Sequence, residues 1–230
     1  RFLWGRWGTA GEVVREEGDI FNIPTGIFRG FENIGTDYGM IMAILGGDDA
    51  GGGVIWAPQV IEDASDHGLV LGDNGKLYDS KKGESLPEGV NKMPLLTEDE
   101  LKGYPEMTPM QVVGMGVRRY NDMMALGQHA PCKVIGETGI IRDKPGFEVE
   151  LITRGSAMDA MHQHDRPSVL MPMRGHWRVT WDGGATTLAP GDTMSVPANL
   201  AHSVVPSMTG EASLYHIVAT DDPAGPTWQG

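Results

Sequence analysis

Two stretches in the C-terminal half decide the reading of this chain: GSAMDAMHQHDRPSVLMPMRG at residues 155–175 and GDTMSVPANLAHSVVP at residues 191–206. In the first, His162 and His164 stand two apart. On an extended chain such residues project to one face, so both imidazoles can reach one point. Taken alone, the pair fits a metal site and ordinary surface or core histidines equally well. The second stretch adds the missing half of the signal. Gly191 and Pro197 make a tight turn that ends a strand and is expected to deliver His202 from the opposite wall of a barrel.

Working outward, residues 134–138, 147–153, 169–173, 177–181, 186–188, 193–196 and 212–219 read as short strands. Turns separate them at Pro145-Gly146, Arg174-Gly175, Gly183-Gly184 and Pro190-Gly191. That spacing predicts a compact all-β barrel or sandwich. The whole chain has 33 glycines and 15 prolines in 230 residues, a density of turns that fits many short strands.

Charge narrows the partners. Eighteen basic against 31 acidic side chains leave a formal charge of −13, which repels nucleic acid and anionic membrane surfaces. The single cysteine, Cys132, excludes an internal disulfide framework and a Cys-rich metal cluster. No apolar run approaches the ~20 residues of a membrane span and no signal peptide is evident, so a cytoplasmic enzyme or binder is expected.

The front of the chain reads as a β-meander, with apolar pieces at 1–7, 13–14, 20–23, 27–31 and 40–45. Between about 57 and 130 the character changes. A short helix is expected from Ile61, loop over 72–89, and a second helix over 98–103 behind the capping box Thr97-Glu98-Asp99-Glu100. Residues 108–125 read as irregular, with a helical turn around 121–126.

The histidine stretches resemble the two motifs of the cupin superfamily. Gly155, His162, His164 and Gly175 fit the first, with one extra residue after Gly155. Gly191, Pro197 and His202 fit the second, with Asn199 in a glycine place and Pro206 in an asparagine place. Asn for Gly is mild, since both tolerate positive φ. The second motif also occurs near the front, as Gly18, Pro24-Thr25-Gly26, Arg29 and Asn33. Arg29 stands there where the ligating histidine would be, and a guanidinium cannot ligate a metal.

The resemblance implies an all-β double cupin of jelly-roll barrels. Residues 1–57 would be a partial, metal-free N-terminal cupin whose opening strands lie before Arg1. Residues 58–130 would be a partly helical linker, 131–222 a metal-binding cupin and 223–230 a tail. It also implies a first shell of His162, His164 and His202, with Ser168 in place of the usual glutamate. Fe(II) is the leading cation, and Mn, Ni, Zn and Cu suit the same donors. Three neutral ligands leave the full charge on the ion and favour an anionic chelating substrate. Three-histidine sites of this kind resemble the gentisate, salicylate and hydroxynaphthoate dioxygenases, which implies ring cleavage of a hydroxylated aromatic acid with O2. A non-oxidative isomerase or lyase, or a small-ligand binder, is the alternative. Exposed strand edges imply a homo-oligomer.

Other residues near the motifs carry weaker expectations. Arg174 and Arg178, and behind them Arg154, are candidate carboxylate clamps, with His176 and Trp177 as further substrate contacts. Trp177 and Trp181 share a face, where core packing competes with ring stacking. Gln163 and Asp165 face away from the metal. Met158, Met161, Met171, Met173 and Met194 are expected to line the barrel interior. Tyr215 and His216 occupy opposite faces of the last strand, so one points inward. His67, His129 and Cys132 are expected to be structural.

Overall fold

The structure is a computed structural model that describes residues 1–45, 54–142 and 146–219. Pro145 of one expected turn, residues 220–222 and the 223–230 tail lie outside the described residues. The front strands are β1 (Phe2–Trp4), β2 (Gly11–Val13), β3 (Ile20–Phe21), β4 (Arg29–Phe31), β5 (Leu69–Leu71), β6 (Leu77–Asp79) and β7 (Val117–Arg118). The rear strands are β8 (Cys132–Ile135), β9 (Phe147–Thr153), β10 (Met158–His162), β11 (Ser168–Arg174), β12 (Trp177–Trp181), β13 (Gly184–Leu188), β14 (Met194–Val196), β15 (His202–Pro206) and β16 (Ser213–Ala219). Four helices, α1 (Pro58–Asp66), α2 (Glu98–Leu101), α3 (Pro109–Gly116) and α4 (Tyr120–Leu126), fall between them.

The chain forms two compact units. The first comprises Arg1–Arg15, Ile23–Gly39 and Gly51–Gly114; the second comprises Glu16–Asn22, Met40–Ala50 and Met115–Gly230. In the first, β1 lies between β2 and β4 in an antiparallel sheet. Trp4 is its buried anchor and donates its indole N–H to the Met107 carbonyl at 2.8 Å. The capping box at α2 forms as expected: the Thr97 hydroxyl accepts from Glu100 N–H, and the Glu100 carboxylate accepts from Thr97 N–H at 2.7 Å.

Three front segments differ from expectation. Residues 40–45 make no strand, and Met40, Ile41, Met42 and Leu45 are exposed; apolar composition alone does not supply a partner strand. The expected loop over 72–89 contains β6, which pairs with β5 in an unforeseen hairpin. Residues 109–116 form a helix, because Thr108 and Gln111 make a second capping box that the glycines of that stretch obscured.

The second unit is a β-rich jelly roll. One antiparallel sheet runs β10-β15-β12-β13 and the other β14-β11-β16-β9-β8. From β9 onward every connection crosses between sheets except the β12–β13 hairpin, which is jelly-roll topology. Ile152, Leu170, Trp177, Val179, Leu188, Val196, Val204 and Leu214 fill the space between the sheets. The outer face of the five-stranded sheet buries a second core, where Val134, Val149, Leu151, Tyr215 and Ile217 pack with Tyr120 and Met123 of α4.

Strand alternation sorts the methionines between these cores. Met158 and Met194 pack on the inner one. Met171 and Met173 pack on the outer one and Met161 is exposed, so the expectation that all five line the interior is corrected. Cys132 is buried in the outer core, and burial pushes its thiol pKa up.

Candidate metal centre

Two strands of the four-stranded sheet carry the motif histidines. His162 ends β10 and His202 opens β15, and they are direct cross-strand partners. The expectation that His202 arrives from the opposite wall is therefore corrected: it lies in the same sheet as His162. His164 follows two residues beyond the end of β10. Its carbonyl accepts the Asn199 N–H at 2.7 Å, a bond that ties the first motif to the turn of the second. Asn199 has φ 62, the only positive φ of a non-glycine among the described residues. The left-handed backbone at this glycine place is what brings its N–H to His164. Gly155 has a different constraint, since an added Cβ would sit 2.0 Å from the Gln128 carbonyl oxygen.

The rings gather. Centroids lie 4.5 Å apart for His162 and His202, 5.5 Å for His162 and His164, and 6.2 Å for His164 and His202. His202 is buried and the other two are half-buried. His162 Nδ1 lies 3.0 Å from the Ala160 carbonyl oxygen and His202 Nδ1 lies 2.8 Å from that of Leu200. A carbonyl can only accept, so each Nδ1 carries the proton and each Nε2 presents a lone pair. Burial lowers the pKa of His164 and of His202, which keeps both rings neutral, the state a metal requires.

The structure also brings in His216, which the motifs do not include. β16 lies beside β9 and β11 in the facing sheet, and alternation turns His216 inward while Tyr215 faces the outer core. The His216 ring is 4.7 Å from that of His164. Its Nδ1 lies 3.7 Å from Glu150 Oε2, on the cross-strand partner residue of β9. The His216 ring holds the Glu150 carboxyl below the usual carboxylate range, against the upward push of burial. The signal for Glu150 was present in the alternating Glu148-Val149-Glu150-Leu151, where an acid falls on an inward position of a barrel strand.

Six side-chain atoms here are buried without a hydrogen-bond partner: Nε2 of His162, His164 and His202, both ring nitrogens of His216, and Ser168 Oγ. Each such atom costs about 1–3 kcal/mol in a native interior. A divalent cation would satisfy the imidazole nitrogens together, so the donor set fits one chemically. Their donors are not already drawn to one point: among the described residues no group of three or more His, Cys, Asp or Glu side chains stands in metal-holding geometry.

The expected substrate contacts lie elsewhere. Trp177 is fully buried in the inner core and its indole N–H donates to the Arg174 and Ser213 carbonyls. It is four residues along β12 from Trp181, the partner of His202, or roughly 13 Å. Arg174 pairs with Glu17 and lies 5.7 Å from the Tyr120 ring, on the outer face. His176 and Arg178 are exposed. The correction has two causes: an odd offset on β12 separates Arg178 from the inward face, and a register shift between Pro172 and Arg174 on β11 turns Arg174 outward with Ser213. Arg154 is held by the Gly210 and Met208 carbonyls. Gln163 and Asp165 are exposed and His164 between them is not, as alternation predicts. His67 and His129 are exposed.

No helix among the described residues is long and apolar enough to cross a membrane. No family model matches the chain, and no curated protein matches it. Solved structures do. A cupin-2 domain containing protein from Shewanella frigidimarina is 20% identical, with a TM-score of 0.37 over 48% of this chain and 99% of that one. The DMSP lyase DddQ from Ruegeria pomeroyi is 17% identical, with a TM-score of 0.37 over 44% of this chain and 55% of that one. KdgF from Halomonas sp. is 22% identical, with a TM-score of 0.31 over 36% of this chain and 77% of that one.

Proposed function

We propose that the second unit is a metal-dependent cupin enzyme in which His162, His164 and His202 hold a divalent cation that a small anionic acid chelates. The observation that carries this reading is the set of buried, partnerless Nε2 atoms on three adjacent rings. Fe(II) is the leading ion, and Mn, Ni, Zn and Cu suit the same donors. Bound there, the ion would supply Lewis acidity and, as Fe(II), the redox chemistry that reaction with O2 requires.

The chain does the rest. Ala160 and Leu200 hold two rings in the ligating tautomer through their carbonyl oxygens. Trp181, Met158, Met194 and Leu200 pack against the inner core beside the histidines. Glu150 contributes a carboxylate beside the cluster, so the local charge is less positive than three imidazoles alone would leave it.

The finer reading is a ring-cleaving dioxygenase of the gentisate type. Its support is the motif pattern together with Trp181, an aromatic face opposite His202 in the sheet register that suits a planar acid. The same reading carries the bicupin arrangement and a homo-oligomer. A non-oxidative lyase or isomerase is the alternative; in either reading Arg174 is ion-paired and Arg178 is exposed, so neither clamps a carboxylate at the histidines.

Oxygen uptake by Fe(II)-loaded protein against a panel of hydroxybenzoates tests the finer reading. Consumption with one member supports it. No consumption with any, together with substrate turnover by Zn- or Ni-loaded protein under argon, moves the assignment to the non-oxidative class. Metal content near zero in protein purified from its own host, with no affinity for added ions, would overturn the metal reading altogether.

A further inference from the structure

The fourth histidine is harder to explain as packing than the other three. His216 is 1% exposed in the middle of the five-stranded sheet, and neither ring nitrogen has a hydrogen-bond partner. An imidazole buried in this way is costly unless something binds it. Its surroundings are specific. On the inward face of the sheet, one transverse row of cross-strand partners runs Lys133, Glu150, His216, Leu170 and Met194. In the facing sheet a second row runs His162, His202, Trp181 and Gly184. His164 stands between the two, 5.5 Å from His162 and 4.7 Å from His216.

The neighbouring strand shows what His216 replaces. Ser168 opens β11 on the same inward face, paired with Val218, two residues along β16 from His216. It is buried, its hydroxyl has no hydrogen-bond partner, and a neutral hydroxyl is a weak ligand beside imidazoles. His216 comes from the same wall, one strand over, and its ring already lies against His164. The Glu150 carboxylate oxygen lies 3.7 Å from Nδ1, on the side of the ring away from Nε2, so Nε2 is the nitrogen left to face an ion. The Ala160 and Leu200 carbonyls leave the same nitrogen free on His162 and His202.

Building on the metal reading above, we propose that His216, braced by Glu150, is a fourth imidazole ligand of the cation, supplied from β16 in the place that Ser168 leaves without a donor. The ligand set is then four histidines drawn from both sheets, and closing it draws the β10–β15 and β16 walls onto one ion.

Co(II), used as the probe on the full chain, tests this by its visible absorption and by competition titration. His216→Ala is expected to weaken Co(II) binding by more than the roughly 100-fold upper range of an outer partner and to shift the absorption bands as one nitrogen donor is lost. Glu150→Gln is expected to weaken it by about 10-fold with the band pattern kept, and Ser168→Ala to leave both unchanged. Should His216→Ala fail to fold by circular dichroism, His216→Gln gives the same reading. Wild-type affinity and spectrum in either folded His216 variant overturn the fourth-ligand assignment while leaving the three-histidine site standing. Absence of Co(II) binding in the wild-type protein overturns both.

Discussion

The same turn occurs twice in this chain with opposite chemistry at its end. In the front copy, Gly26 has φ 83 and Arg29 opens β4; in the rear copy, Asn199 has φ 62 and His202 opens β15. The backbone solution is shared: a left-handed residue, two more, and then the first residue of a strand. What differs is where that strand goes. β4 is the edge partner of β1 in a three-stranded sheet, and Arg29 is exposed. β15 lies inside a four-stranded sheet facing another sheet, and His202 is 1% exposed. The motif specifies a turn. Burial beside other donors turns that position into a site.

The largest effect expected from this comparison is on metal affinity. His202→Ala is expected to cost more than the roughly 100-fold of an outer-partner loss in a Co(II) or Ni(II) titration, while Arg29→Ala leaves affinity unchanged. Arg29→His sharpens the contrast, because a histidine delivered by the same turn to an exposed edge is expected to add no tight site. A second stoichiometric ion in that variant would break the argument that burial decides.

Core anchors come next. Trp177→Ala removes a fully buried ring and two hydrogen bonds, with an expected loss of about 3–5 kcal/mol in denaturant unfolding. Trp4→Ala, which loses a comparable anchor, is expected to fall in the same range of about 3–5 kcal/mol.

The rear site is expected to make stability depend on pH. Burial lowers the pKa of His164 and His202 in the folded protein, so below the ordinary value near 6.5 the unfolded chain binds more protons. Stability of chelator-treated protein therefore falls as pH falls through that window, and bound metal deepens the fall because protons compete for the rings. Glu150 adds a loss at lower pH, since its folded pKa is depressed and its contribution disappears as the carboxylate protonates. Denaturant midpoints between pH 8 and pH 5 that do not move would contradict this.

The smallest expected effect concerns the turn itself. Asn199→Ala and Gly26→Ala each force an alanine into the left-handed region, at about 1–2 kcal/mol, and similar losses from the two would show that the turns are equivalent.

Much of the rear unit was legible because its signals are local. Alternation marked seven of the rear strands, and the positions of Gly155, Gly175, Gly191 and Pro197 marked the turns that place the histidines. Strands β10 and β15 carried no alternation signal: β10, MDAMH, is mostly exposed, and β15, HSVVP, opens on a histidine and ends on a proline. The front was less readable. Residues 40–45 have strand-like composition but no partner, and α3 was hidden by Gly114 and Gly116, which weaken a helical pattern that its capping box restores.

What the amino-acid sequence determined by itself was the β-rich, barrel-or-sandwich character of the rear half and, through its resemblance to the cupin motifs, three candidate ligands, because glycine conformation, strand alternation and motif spacing are properties of neighbouring residues. Only the tertiary structure decided which wall each histidine occupies, that Arg174 faces outward, and that Glu150 and His216 join the cluster from strands far away in the chain. Those facts depend on strand register and sheet pairing, where a shift of a single residue would turn every inward side chain out.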